Sequence, residues 1–249
     1  RAKQDLQSLT RQAYANSPYS DELLVRANPS REPSVIPREV GAGSPIQHVI
    51  YILKENRTYD QVFGDLPQGN GDPQLTLFGR EVTPNHHKIA EQFVLLDNLY
   101  CDAEVSADGH QWSNAAYATD FVEKSWPAYY AGKSNGPSTD ASLPASGYIW
   151  DQCARKGLTY RSYGEMARRV GEGSSETVKT SVSGLQGHVA THYLGWDARD
   201  YENAAEFTRE FDEYEKNYES KDPNKRLPNF IVICLPEDHT RGSRLGVPT

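Results

Sequence analysis

The sequence predicts an α/β fold with a mostly parallel central sheet flanked by helices, and three stretches carry that expectation. His48–Leu53 and Leu227–Leu235 are apolar runs with β-branched and aromatic residues on both faces, as in strands buried between helices. Gly147–Tyr163 reads as helix, glycine stop and strand, the repeating unit of an α/β sheet. A chain of 249 residues is long enough for one large domain of this kind with a substantial core.

Taken in order, residues 1–26 read as a helix and a turn. Leu6, Leu9 and Tyr14 give a weak apolar stripe, and Asn16-Ser17-Pro18 ends it. Residues 27–45, ANPSREPSVIPREVGAGSP, have the Pro, Gly and Ser content of a linker or surface strap. The expected division is therefore 1–44 for an amino-terminal helix and linker, and 45–249 for the α/β domain. After the first strand, Thr58–Phe63 begins a short helix or turn with Gly64 as its stop. Leu66–Thr83 reads as a hairpin-like excursion, with Gln74–Phe78 and Glu81–Thr83 as short strand pieces around Gly-Asn-Gly-Asp-Pro turns.

Pro84 and Asn85 open a short helix, and Phe93–Tyr100 is a second apolar run, read as a strand that ends in polar residues. Ser113–Phe121 has a helical pattern, and Ser125–Pro144 reads as a long loop of the kind that forms lids or binding loops. Helix Gly147–Gly157 leads into strand Leu158–Tyr163. Residues 170–187 are polar and are expected to be mobile. Tyr201–Tyr218 is an amphipathic helix with Ala204, Phe207, Phe211 and Tyr214 inward; Glu206, Arg209, Glu210, Glu213 and Lys216 are expected to face water.

Charge and composition exclude some classes of function. The 26 basic and 34 acidic residues give a net charge of −8, which disfavours general affinity for the phosphate backbone of nucleic acid. Hydrophobic residues make up 37%, and no run reaches the roughly 18 apolar residues of a membrane span. The opening RAKQDLQSLTRQ is charged, and no apolar signal-peptide core follows it. Because it begins at Arg1, the expectation is a longer product with an additional amino-terminal domain. Cys101, Cys153 and Cys234 fit no metal-ligand spacing, and their odd number leaves at least one thiol unpaired. Cys234 is expected to be a small core residue, and a Cys101–Cys153 disulfide stays open.

Chemistry is concentrated at strand ends. Lys54-Glu55-Asn56-Arg57 follows the first strand at once, and ligands in open α/β sheets bind at the carboxyl ends of strands. The plainer alternative for Glu55 and Asn56 is capping of the next helix. In VSADGHQW, Ser106 stands a few residues ahead of the expected helix, where free backbone N–H groups and the helix dipole favour an anionic transition state. Its alternative role is an N-cap. Asp108 and His110 share that loop; Asp108 is a candidate substrate contact, and His110 is a candidate phosphate donor or leaving-group acid. His188 and His192, in HVATH, have i, i+4 spacing but lack the glutamate of the zinc-protease motif, so phosphate contact is the better reading. Arg57 is a candidate for phosphate oxygens or for a pair with Asp60. Asp238 and His239 end the last strand. No Gly-X-Ser-X-Gly elbow is present, which counts against a metal-free serine hydrolase.

ENRTYDQVFGD resembles the opening motif of the phosphoesterase family that joins bacterial phospholipases C and a class of acid phosphatases, whose fold is alkaline phosphatase-like. Six consecutive positions, Glu55 to Asp60, agree with it. LPNFIVICLPEDHTRG resembles the family's later motif, so the likeness spans roughly residues 45–249. The resemblance implies that Glu55 and Asn56 bind a catalytic divalent ion (Mg, Ca, Mn or Zn). It makes Ser106 the nucleophile, with Ser113 a weaker alternative, and brings His239 to the site. It implies a phosphate-ester substrate and an extracellular, periplasmic or cell-surface location. The family's downstream aspartate pair, which completes the metal site, has no counterpart before Thr249. The expectation is thus a fold truncated at its carboxyl end, or a pair supplied from elsewhere. A non-catalytic phosphoesterase-like binding module of a larger surface or secreted protein is the alternative.

Overall fold

A computed structural model describes residues 2–16, 35–37, 43–134 and 139–237. Contacts divide the chain into Arg1–Gln47 and His48–Thr249. In the first unit, α1 (Ala2–Asn16) leaves Leu6 and Leu9 exposed. The predicted Ser17-Pro18 turn and most of the predicted linker lie outside the described residues.

The second unit is α/β. Its three-stranded parallel sheet has the order β1 (Val49–Lys54), β5 (Phe230–Leu235), β2 (Tyr160–Tyr163). Both neighbours run in register with β5, pairing Val49 and Tyr160 with Phe230, and Tyr51 and Ser162 with Val232. A parallel bridge from Ser162 to Val189 extends the sheet past β2. The two apolar runs that predict strands fare differently. β5 is the central strand and is buried from Phe230 to Cys234, whereas Val49, Ile50 and Ile52 of β1 are exposed. Among the described residues, β1 has a partner on one side only.

The core lies on the β2 and β5 side. Trp150 from α6 (Ile149–Arg155) is fully buried and stacks on Tyr148 with ring centroids 4.7 Å apart. Tyr163, Leu185, Ala190, Tyr193 and Ile231 pack in the same cluster. Gly157 ends α6 at φ +68°, the left-handed geometry that makes glycine a stop. Tyr163 meets Tyr193 and Phe207 edge to face, so burial of a few large rings contributes much of the core.

Several expectations are corrected. Leu66–Thr83 forms no strands: Asp60 accepts the Asp72 N–H at 2.7 Å, and the Gln61 carbonyl accepts those of Leu77 and Phe78. These contacts wrap the segment around α2 (Tyr59–Phe63) and use donors that a ladder would need. After α3 (Pro84–Gln92), Phe93–Tyr100 is irregular, and Phe93, Val94, Leu96, Leu99 and Tyr100 are exposed. No strand stands beside that run among the described residues. The predicted long loop from Ser125 is helical in its first part, within α5 (Asp120–Tyr130), which Thr119 caps by accepting the Val122 N–H.

Residues 170–187 are built into the fold. β3 (Arg168–Val170) and β4 (Thr177–Lys179) form an antiparallel pair, and Val178, Val182 and Leu185 enter the core. On α7 (Asp200–Lys216), Glu206 and Glu210 are buried, not solvated. The guanidinium of Arg161 grips both oxygens of Glu210, and the Tyr163 hydroxyl donates to the same carboxylate at 2.7 Å. A cation on a neighbouring strand thus reverses what the helix periodicity alone predicts. No helix among the described residues is long and apolar enough to cross a membrane.

Candidate active site

The carboxyl end of β1 delivers Lys54, Glu55 and Asn56 to one end of the sheet, and the peptide joining the last two is cis. Lys54 is held by Asp200 at 2.8 Å, and Asp200 and Glu237 exchange backbone N–H to carboxylate bonds. Glu237, two residues past β5, therefore anchors the start of α7. Thr58 caps α2 in a reciprocal box with Gln61, so the cap is Thr58, and neither Glu55 nor Asn56 is needed for it.

Ser106 is the first residue of α4 (Ser106–Ala115), not a residue several positions ahead of a helix. The N-cap is Val105. Ser106, His110 and Ser113 recur at i, i+4 and i+7, so the helical repeat sets them on one face. That face lines a cavity of about 830 Å³ together with Glu55, Asn56 and Arg57. Asp108, Gln111 and Asn114 are turned inward. The loop that would hold Asp108 toward substrate is instead tied back by it: its two oxygens accept the Glu104 and Val105 N–H groups at 3.1 and 3.0 Å. Asp108 is 1% exposed and shapes the entry to α4, which corrects its expected role in substrate contact.

His110 sits between two carboxylates. Its Nδ1 lies 2.9 and 3.0 Å from the oxygens of Glu165, and its Nε2 is 3.4 Å from Glu55. Asn114 donates to Glu165 at 2.7 Å and to the His110 carbonyl at 2.8 Å. Glu165 is 1% exposed and arrives from the end of β2 through Gly164, whose φ of +84° turns the chain inward. A Cβ at Gly164 would come within 2.5 Å of the Tyr193 ring, so glycine is required there on two counts. Burial works against charge on His110, but hydrogen bonds to Glu165 and Glu55 prevail and raise its pKa to about 10. The ring is an imidazolium at neutral pH.

Arg57 lies 4.9 Å from the centre of the Phe78 ring, a cation–π contact that leaves it on the cavity wall. His188 is elsewhere. It stacks on Tyr160 at 4.3 Å and lines a hollow with Arg209, Glu210 and Asn224 beside the amino end of β2, away from the Glu55 cavity. Its backbone carbonyl accepts the Ser162 N–H, so 188–190 is extended, Thr191 and His192 form a turn, and the two histidines do not share a helical face. Asp238 and His239 lie outside the described residues. All three cysteines are free thiols. Burial and the nearby carboxylates push the Cys234 thiol far up, which makes it inert.

Glu55 and the Asn56 side chain are oxygen donors of the hard type that suits Mg²⁺, Ca²⁺ or Mn²⁺. They fit such an ion in chemistry and fall short in number. Among the described residues, no group of three or more His, Cys, Asp or Glu side chains converges to hold a metal.

Glu165 and Asn114 are the site residues that the sequence reading misses. Their one signal is a carboxylate directly after a glycine at a strand end, on a strand that alternation does predict.

The fold and the cavity define an α/β protein with a histidine-centred cavity at the carboxyl end of a parallel sheet. No family model, curated protein or solved structure matches the chain.

Proposed function

We propose that this protein is a metal-assisted phosphoesterase in which Ser106 attacks phosphorus. The observation that carries the reading is the meeting on one cavity of Ser106, at a helix amino terminus, with Glu55, Asn56, Arg57 and His110, whose ring is held by Glu165.

Ser106 stands at the amino end of α4, whose dipole favours the charge that develops on phosphoryl oxygens. Attack releases the Ser106 hydroxyl proton to solvent, forms the Ser106 O–P bond and breaks the bond from phosphorus to the alcohol, leaving a phosphoserine. His110, held as an imidazolium between Glu165 and Glu55, supplies a proton to the departing oxygen. Arg57 pairs with a non-bridging oxygen. Water then attacks the phosphoserine and gives a proton to the now neutral His110; the Ser106 O–P bond breaks, the serine oxygen takes a proton from solvent, and the phosphate leaves. Glu55 and Asn56 would hold a hard divalent cation with further ligands, and such an ion lowers the pKa of a hydroxyl and shares phosphate charge.

The test is hydrolysis of 4-nitrophenyl phosphate and its bis-ester over a panel of divalent ions and with EDTA, beside Ser106→Ala. Turnover that needs the ion and vanishes in the variant supports the reading, and the better ester separates monoesterase from diesterase. A folded, metal-supplied protein that cleaves neither ester overturns it in favour of a binding module.

A further inference from the structure

Beyond Ser106 the cavity wall opens into a second hollow of about 570 Å³. It is lined by Ser106, Ala107, His110, Tyr129, Tyr130 and Trp196. Its three large rings are 43%, 51% and 40% exposed. Single exposed aromatics are ordinary, but three around one hollow leave in water much of the apolar area that such rings normally bury.

They come from separate parts of the chain, the end of α5 and the 3₁₀ turn Gly195–Asp197 ahead of α7. The tyrosines are fixed in place. The Tyr130 hydroxyl accepts the Ala107 N–H at 3.3 Å, and the Tyr129 and Tyr130 rings meet edge to face at 5.4 Å. Trp126 braces Tyr130 in the same manner at 5.9 Å. Among the described residues no acidic side chain lines the hollow. Its walls therefore offer π surfaces on which a flat ring can stack, with no described carboxylate to add to the cation–π attraction of those faces.

We propose that this hollow is the subsite for the leaving group, and that it selects esters whose alcohol carries a flat, uncharged ring. The inference rests on the reading of Ser106 as nucleophile, because Ser106 and His110 belong to both cavities. A phosphorus atom at Ser106 places its ester substituent against Tyr129 and Trp196.

The test is calorimetric binding to the full chain, supplied with Mn²⁺, of methylphosphonate, n-butylphosphonate, phenylphosphonate and benzyl alcohol. Phenylphosphonate is expected to bind about tenfold tighter than methylphosphonate, ~1.4 kcal/mol, within the range for one ring stacked on an aromatic side chain. In Trp196→Ala and Tyr129→Ala the ratio falls toward one. A butyl group that matches phenyl, a ratio untouched by both variants, or displacement of phenylphosphonate by tetramethylammonium overturns the proposal. If neither methyl- nor phenylphosphonate binds but benzyl alcohol does, in a Trp196-dependent way, the ring site stands and the phosphoesterase reading falls. Binding of no probe at all overturns both.

Discussion

Glu165 holds the Nδ1 of His110 with both of its oxygens, at 2.9 and 3.0 Å, across 55 residues of sequence. The contact fixes which edge of the imidazole faces the cavity. A ring nitrogen that is anchored leaves the other one aimed, and here the other is Nε2, beside Glu55. Glu165 does not line the reaction cavity itself, so it acts through His110 as a positioning residue.

Glu165→Gln keeps the shape but removes the charge and lets an amide N–H meet the ring. The expected outcome is a loss in kcat of about tenfold or more, with KM little changed, since proton transfer by a placed acid contributes about 10²–10⁴. Steady-state kinetics with 4-nitrophenyl phosphate check this, and ¹⁵N chemical shifts of His110 report any change of protonation or tautomer.

Asp108→Ala is expected to cost stability by about 1–2 kcal/mol, because two backbone N–H groups lose their acceptor at the start of α4. The affinity of the folded fraction for methylphosphonate should be preserved, since Asp108 points away from the cavity. Urea unfolding and calorimetry measure the two effects separately.

Acid stability is tied to Glu210. Burial would raise its pKa, but Arg161 and the hydroxyls of Tyr163 and Tyr214 hold it below the usual glutamate value of 4.5. The folded pKa lies under the unfolded one, so the stabilisation is complete above about pH 4.5 and is lost as pH falls through the depressed value. Glu210→Gln should lose about 3 kcal/mol at neutral pH, because it strands the partly buried Arg161. It should also flatten the acid limb in urea unfolding followed against pH.

Among the described residues one edge of β1 has no strand beside it, and with Val49, Ile50 and Ile52 exposed that edge is a template for pairing between chains. Sedimentation velocity should show association that grows with concentration, and Ile50→Lys should reduce it.

How far the sequence reveals this molecule depends on where its partners lie. β5, β2 and α6 are legible because local composition and a glycine stop agree with the final packing. The Glu55-Asn56 strand end and Ser106 are legible for the same reason, and four residues from there His110 follows on the same helical face. α4 begins earlier than its pattern indicates because SADGHQW has weak helix formers and no apolar stripe; the helix is set by the Asp108 cap and by Asn114 and His110 gripping Glu165. The burial of Glu210 is invisible locally, since Arg161 lies 49 residues away. Phe93–Tyr100 shows the opposite failure, a strand-like composition with no neighbouring strand among the described residues. His188 is displaced because 188–190 pairs with β2 as extended chain and forms no helix.

The most direct test of the central claim is to trap the intermediate. Protein incubated with 4-nitrophenyl phosphate and Mn²⁺, quenched in acid and digested, is read by mass spectrometry. The account predicts one added phosphoryl group on the peptide bearing Ser106, located at Ser106 by fragmentation and missing from Ser106→Ala. Active turnover with Ser106 unmodified and the alanine variant undiminished would contradict it.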